Sequence, residues 1–307
     1  MASITSQNAA LAIVKLVASE ALPALVGNLV MGNLVNRDFE PMLAQAGDTV
    51  NVPIPPVLVA NNLAETGTVT AQNPSLGNAQ IVLNTHVEAT FQIPDVTKVI
   101  AVPDLIRTYM QPAVNAIAEK IETDLLALYT NFTVNSAVGA SSAMDEARID
   151  AAETALFAQK VPAEQPKYLI VSGTAYSQMR QLARFSDWQN LGPGSQPSPQ
   201  ITAMLPGGVA NGKIKDFFVY RSQFVAKPSS TTFNLAFAKD GIGLAMRRLP
   251  QPIPGTGAIA EYAELGGYGL RVTMSYQPNS LAQQFTVDAL YGAAVLRNSF
   301  GLQVQSN

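Results

Sequence analysis

The chain has 307 residues, with 19 Lys or Arg, 22 Asp or Glu, one His and no Cys. Charged residues are 13% of the total, about half the usual share of roughly 25%, so there are too few charges to cover a large monomer in the ordinary way. The missing Cys and the single His86 exclude disulfides, thiolate nucleophiles and zinc sites of several Cys or His, and a net charge of -3 excludes a domain that grips nucleic acid by neutralising phosphates.

The first element is an amphipathic helical segment over residues 6–30, with Leu11, Val14, Ala18, Leu22, Leu25 and Leu29 at spacings of three and four and Pro23 dividing it. Lys15, Ser19, Glu20, Pro23, Asn28 and Asn33 interrupt the apolar stretch, and no basic segment precedes it. It therefore reads as neither a membrane span nor a secretory signal. Such an arm either docks on its own core or lies on a neighbouring subunit.

After Asn36-Arg37-Asp38-Phe39-Glu40, Gly47-Asp48 leads into a strand over 49–59, where Pro53, Pro55 and Pro56 restrict pairing to one side. Residues 61–78 read as a long exposed loop. The strongest alternation follows: Ile81, Leu83, Val87, Ala89, Phe91 and Ile93 against Asn84, His86, Glu88, Thr90 and Gln92. A continuous strand over 81–93 would be about 43 Å long, against a usual length of about 17–20 Å. With 49–59 as its partner it forms a projecting hairpin whose apolar face needs cover.

From Asp104 to Phe132 the period becomes helical, with Asp104 as the expected N-cap and Ile106, Met110, Ala113, Ile117, Ile121, Leu125, Leu128 and Phe132 on one face. Glu119, Lys120, Glu122 and Asp124 fall on its wet side. This helix, about 40 Å long, is a spine for other elements. A second helix over 142–160 precedes a buried strand at Tyr168–Val171, a turn at Gly173 and a helix with Tyr176, Met179 and Leu182 or Ala183 on one face. Residues 186–213 form an irregular loop, and strands follow at 217–220, 233–237, 270–276, 285–287 and 301–304. The whole reads as an α+β fold.

Motifs for chemistry are poor. Gly207 to Lys213 has the spacing of a phosphate-cradling loop but continues with Ile214 and lacks the strand-to-helix context. His86 with Glu88 lies on the polar face of a strand, and a soluble hydrolase using His86 is the enzymatic alternative. Asp145, Glu146, Asp150 and Glu153, mixed with Arg148 and Lys160, read as a solvated helix face. No catalytic, cofactor or metal residues are assigned.

The order of the pieces resembles the major capsid proteins of tailed bacteriophages, especially coat proteins of the short-tailed kind. The residues that carry the resemblance are Asn36 to Glu40, Gly47 to Val52, Phe91-Gln92-Ile93-Pro94-Asp95, Ala118-Glu119-Lys120-Ile121-Glu122, Phe233 to Gly241, Arg247-Arg248-Leu249-Pro250, and Asp288-Ala289-Leu290-Tyr291-Gly292 before Arg297. The resemblance implies an HK97-like capsid fold. Its parts would be an N-terminal arm over 1–35, an extended hairpin loop with flanks over 36–95, and a peripheral domain with a spine helix over 96–135. An axial domain over 136–280 and C-terminal strands over 281–307 returning to the peripheral domain would complete it.

It also implies a non-enzymatic subunit, without cofactor, that assembles as hexamers and pentamers in the virion capsid after synthesis in the host cytoplasm. Scaffolding protein and portal would be its partners, a decoration protein a further one, packaged DNA would be weakly contacted, and no membrane is involved. An encapsulin-like compartment shell is the alternative of the same fold. Residues expected to touch neighbouring subunits are Leu11, Val14, Leu25, Arg37, Asp38, Thr66, Thr68, Pro74 and Leu76.

Overall fold

A computed structural model describes residues 14–15, 25, 29–39, 49–56, 58–63, 65, 67–74, 76–95, 102–135, 137–139, 142–182, 213–253, 257–265 and 268–307, with side chains of the long helix described from residue 108. Two five-stranded sheets and a separate two-stranded ribbon make up its β structure. The ribbon pairs β1 (Thr49–Ile54) with β2 (Gly77–Val82) in antiparallel register, Thr49 opposite Val82 and Ile54 opposite Gly77.

The first sheet runs β3 (Thr85–Pro94), β11 (Ala282–Val295), β10 (Tyr268–Gln277) and β9 (Ala258–Leu265), and β8 (Ile242–Arg247) pairs with the far end of β11. Across one face lies the long helix α1 (Val102–Ala127). Met110, Val114, Ile117, Ile121 and Leu125 of α1 share the main core with Ile93, Leu270, Val272, Phe285 and Val287. Met110, Ile117, Ile121 and Leu125 are on the expected apolar face, Val114 joins them where Ala113 was expected, and this face meets the odd positions of β3 and the even positions of β10 because side chains alternate across a strand.

The second sheet is ordered β12 (Gly301–Ser306), β7 (Thr232–Ala238), β4 (Lys167–Val171), β6 (Phe217–Arg221) and β5 (Lys213–Ile214), with β4 and β6 parallel. Leu169, Val171, Ala236 and Ala238 pack on α2 (Glu146–Ala158) and α3 (Gly173–Gln181), whereas Ile170, Leu235 and Phe237 join the main core. Burial on both faces explains why Tyr168–Val171 and Phe233–Phe237 read as runs of mostly apolar residues rather than alternations.

Several expectations change. The alternating stretch 81–93 is not one projecting strand: it breaks at Leu83 and Asn84 into β2, which pairs with β1, and β3, which pairs with β11. Ile81 and Leu83 enter a small core with Val50, Val52, Ala245 and Leu296, while Val87, Ala89, Phe91 and Ile93 lie against the main core. The apolar face of β3 is thus covered by its own chain. The break sits where the backbone of Val82 and Leu83 crosses Gly292, one residue beyond the last β3 pair at Tyr291, with β8 on the opposite edge of β11 where β10 has ended.

Asp104 lies inside the helix, which begins at Val102 and holds Pro103 in its first turn, where no intrahelical donor is lost. Gly173 opens α3, capped by Ser172, whose hydroxyl accepts the Ala175 N–H. Residues 281–307 do not stay together, since β11 belongs to the first sheet and β12 to the second. Nor do residues 136–280, since β8, β9 and β10 join the first sheet. Strand pairing follows hydrogen bonding across the molecule, so sheets cut across boundaries drawn along the chain. The loop over 186–213 lies almost wholly outside the described residues, apart from Lys213 in β5.

Candidate functional site

The ribbon β1–β2 is held at its base and bare at its tip. Val50, Val52, Ala79 and Ile81 seat the base on Ala245 and Leu296, with Phe39, Ile54 and Ala294 at the margin. Beyond Ile54, the described residues from 58 to 76 are all exposed. Of the twelve large apolar side chains exposed among the described residues, five belong to this tip: Leu58, Val59, Leu63, Val69 and Leu76. Exposed apolar residues scattered singly need no explanation, whereas five on one segment form a concentration of apolar surface that calls for one.

The tip has a defined shape despite lacking a ladder. Gln72 ties its two limbs together: its Oε1 accepts the Val59 N–H at 3.0 Å and its Nε2 donates to the Val59 carbonyl. One side chain therefore reproduces the donor and acceptor pair of a strand neighbour. Near the base, Asn51 Oδ1 accepts from Asn78 Nδ2 at 2.9 Å and Gln80 Nε2 at 3.0 Å.

The residues expected to touch neighbours divide into three groups. Thr68, Pro74 and Leu76 lie on the exposed tip. Val14 and Leu25 are fully buried in the main core of their own chain, where they present no surface in this conformation. Arg37 is partly buried with its guanidinium 3.7 Å from the centre of the Tyr268 ring, and Asp38 is exposed with its N–H donating to Asn36 Oδ1 at 2.9 Å. Leu11 and Thr66 fall outside the described residues. Leu58, Val59, Leu63 and Val69 were overlooked, although apolar side chains inside a Pro- and Asn-bounded loop are a signal the sequence carries.

His86 stands on the polar face of β3, its Nε2 2.8 Å from Asp288 Oδ2. Asp288 is buried and also accepts from Arg271 Nε at 3.0 Å and from Arg271 Nη2. Further along the same face, Thr90 and Thr286 hydroxyls meet at 3.0 Å, and Gln92 Nε2 donates to Gln284 Oε1 at 3.3 Å. The cluster reads as cross-strand polar pairing. Among the described residues no group of three or more His, Cys, Asp or Glu is placed to hold a metal ion, and no helix is long and apolar enough to cross a membrane. Asp145, Glu146 and Asp150 serve α2: Asp145 Oδ1 caps it by accepting the Arg148 N–H at 3.0 Å, and Lys215 pairs with Glu146 at 3.2 Å and with Asp150.

Glu122 departs most from its expected place. Read as part of the wet side of α1, it is buried, with Oε1 accepting the Met31 N–H at 2.6 Å. Burial pushes its carboxyl up to about 7, against the opposing pull of hydrogen bonds from the backbone of Met31, Val30 and Gly32. Its neighbour Asp124 does remain nearer solvent, where it accepts from Lys120 Nζ and from the Tyr291 hydroxyl, both at 2.6 Å.

A ribbon anchored at its base, a long helix crossing one sheet, and a second sheet buried on both faces define the architecture of the described residues. The family model described as phage capsid protein matches residues 89–302. The chain belongs to the phage capsid protein family. A solved chain from Mycobacterium phage Che8 is similar with a TM-score of 0.64 at 14% identity, covering 91% of each chain. The capsid of cyanophage P-SCSP1u is similar with a TM-score of 0.60 at 14% identity, covering 91% of this chain and 88% of that one. For the capsid of Ralstonia phage GP4 the TM-score is 0.55 at 10% identity, with coverage of 89% and 86%. No curated protein sequence matches this chain. At such identities the structural likeness carries the fold, which is HK97-like, and membership of the family makes the chain a structural capsid protein rather than an enzyme.

Proposed function

We propose that this phage capsid protein is the major subunit of a phage head, tiling an icosahedral shell around double-stranded DNA by placing its ribbon tip on the adjacent copy. The observation that carries the tip's role is five exposed apolar side chains on a segment whose base is fixed to its own subunit. Lying against a second copy would remove that apolar surface from water at roughly 25 cal/mol per Å².

The shell would be built of hexamers and pentamers in the host cytoplasm, with scaffolding protein and portal as partners and with room for a decoration protein outside. The sheet that carries α1 would be the peripheral part of each subunit, and the sheet covered by α2 and α3 the axial part. A net charge of -3 suits an inner wall that lets packaged DNA slide instead of binding it.

Replacing residues 58–75 with a short Gly-Asn turn, which keeps β1 and β2 intact, tests the reading. The shortened subunit is expected to keep its unfolding free energy within about 1 kcal/mol, because the described residues of the tip are all exposed. Negatively stained particles and sedimentation should show soluble subunits and no closed shells. Shells of normal size and yield from this variant would refute the role of the tip.

A further inference from the structure

Glu122 lies on the spine helix, yet its carboxylate serves a segment 91 residues away in sequence. The short 3-10 helix Met31–Asn33 opens without a side-chain cap from its own N-cap residue, Val30. Glu122 Oε1 fills that role by taking the Met31 N–H at 2.6 Å, with Val30 and Gly32 also donating backbone hydrogen bonds to the carboxyl. The other oxygen, Oε2, is buried and has no hydrogen-bond partner among the described residues. Beside it a cavity of about 320 Å³ is lined by Val30, Ala118, Arg221, Ser222 and Phe224, together with Glu122 itself. This volume holds several waters, since each needs about 30 Å³.

We propose that Glu122 is a proton-controlled latch that holds the N-terminal segment against the spine helix, tight when the carboxyl is protonated and loosened when it ionises. The charged groups around it leave the proton as the controlling ligand. On its own helix, Glu119 lines the same cavity, and Lys120 and Asp124 are paired with each other. From the element opposite, Arg221 lines the cavity and has its guanidinium 5.6 Å from the centre of the Tyr176 ring. Residues 29–36 contain no titratable side chain, and Arg37 is stacked on Tyr268. Among the described residues no ion pair reaches Glu122, so burying its negative charge is offset only by backbone dipoles.

The direction follows from linkage. With the segment undocked, the carboxyl meets water and titrates at its ordinary 4.5, whereas docking raises it to about 7. The docked state therefore keeps a proton that the undocked state has lost. Docking is strongest below pH 4.5, weakens tenfold per unit as pH rises towards 7, and is constant above that. The full range is about 300-fold, of which about 70-fold falls between pH 5 and 8.

Amide hydrogen exchange on the full chain tests the latch, read at Leu34 and Val35, whose N–H groups donate to the Met31 carbonyl at 2.9 and 3.2 Å. After correction for intrinsic rates, their protection is expected to fall about 70-fold from pH 5 to 8, while Val272 and Val287 in the sheet core keep theirs. In Glu122→Gln, which retains an acceptor oxygen but never ionises, protection should stay high at both values. Protection that is independent of pH in the wild type, or that falls in Glu122→Gln as it does in the wild type, overturns the proposal. Should the variant fold poorly, carbon NMR of the wild-type Glu122 carboxyl decides: a midpoint near 7 supports the latch, and one near 4.5 overturns it.

Discussion

Replacing Gly292 with alanine is expected to lower the unfolding free energy by about 3 kcal/mol or more, a large part of the roughly 5–15 kcal/mol available to a domain. A Cβ built there would stand 2.2 Å from the carbonyl oxygen of Val82, 2.8 Å from its carbonyl carbon and 3.2 Å from the Leu83 nitrogen. All three are backbone atoms, so no side-chain rotation relieves the clash. Neither side yields easily, because Val82 is paired with Thr49 in the ribbon and Gly292 with Ala245 in the first sheet. The requirement concerns close approach of two backbones, which only glycine allows.

Gly173→Ala is the matched control. It opens α3, and a Cβ there would meet nothing within 4 Å among the described residues, so the exchange should stabilise by roughly 0.5–1 kcal/mol as glycine leaves a helix. Urea denaturation of the two variants would separate them by well over 3 kcal/mol. Equal midpoints would mean that the ribbon does not cross β11 as described.

The same crossing shows what the sequence could reveal and what it could not. Alternation over 81–93 correctly marks which side chains are apolar-facing, because a period of two survives a bend. It contains no information on partners, so one ribbon and two strands look identical until Gly292 is known to lie beneath Val82. The long helix was legible because Met110, Ile117, Ile121 and Leu125 repeat with the helical period and are buried as expected. Glu122 was misplaced because Glu119, Lys120 and Asp124 surround it with solvated charge. Yet it follows Ala118 by four positions and precedes Leu125 and Leu126 by three and four, all of them buried. Strand β8 gave no alternation to read, since five of its six residues are buried. The tip was legible as a loop, and its apolar residues are the part of it that a polar loop would lack.

Asp288→Ala is the second change with a large expected effect, a loss of about 3–5 kcal/mol. The side chain of Asp288 is 2% exposed and that of Arg271 18%, so the pair is largely withdrawn from water. Without the carboxylate, Arg271 keeps only its Nη1 bond to the Pro250 carbonyl from the contacts described at this cluster, and a partly buried guanidinium stays without its counter-charge. His86, by contrast, is 49% exposed and loses little if Asp288 goes.

Arg271→Ala should cost a comparable amount, because it leaves the more deeply buried Asp288 with only the half-exposed His86, whereas His86→Ala should cost less than about 1 kcal/mol. Replacing Asp288 and Arg271 together by leucine should recover most of the single-variant loss, since a buried ion pair exchanged for apolar packing is often neutral. A double-mutant cycle by chemical denaturation measures the coupling, and a value below about 0.5 kcal/mol would show the two residues to be independent. His86→Ala should also leave shell formation unchanged, because the ladder around it holds β3 to β11 within one subunit and does not reach the ribbon tip. Its polar face then matters for the stability of the subunit, and the proposed contact between copies is sought at residues 58–76 instead.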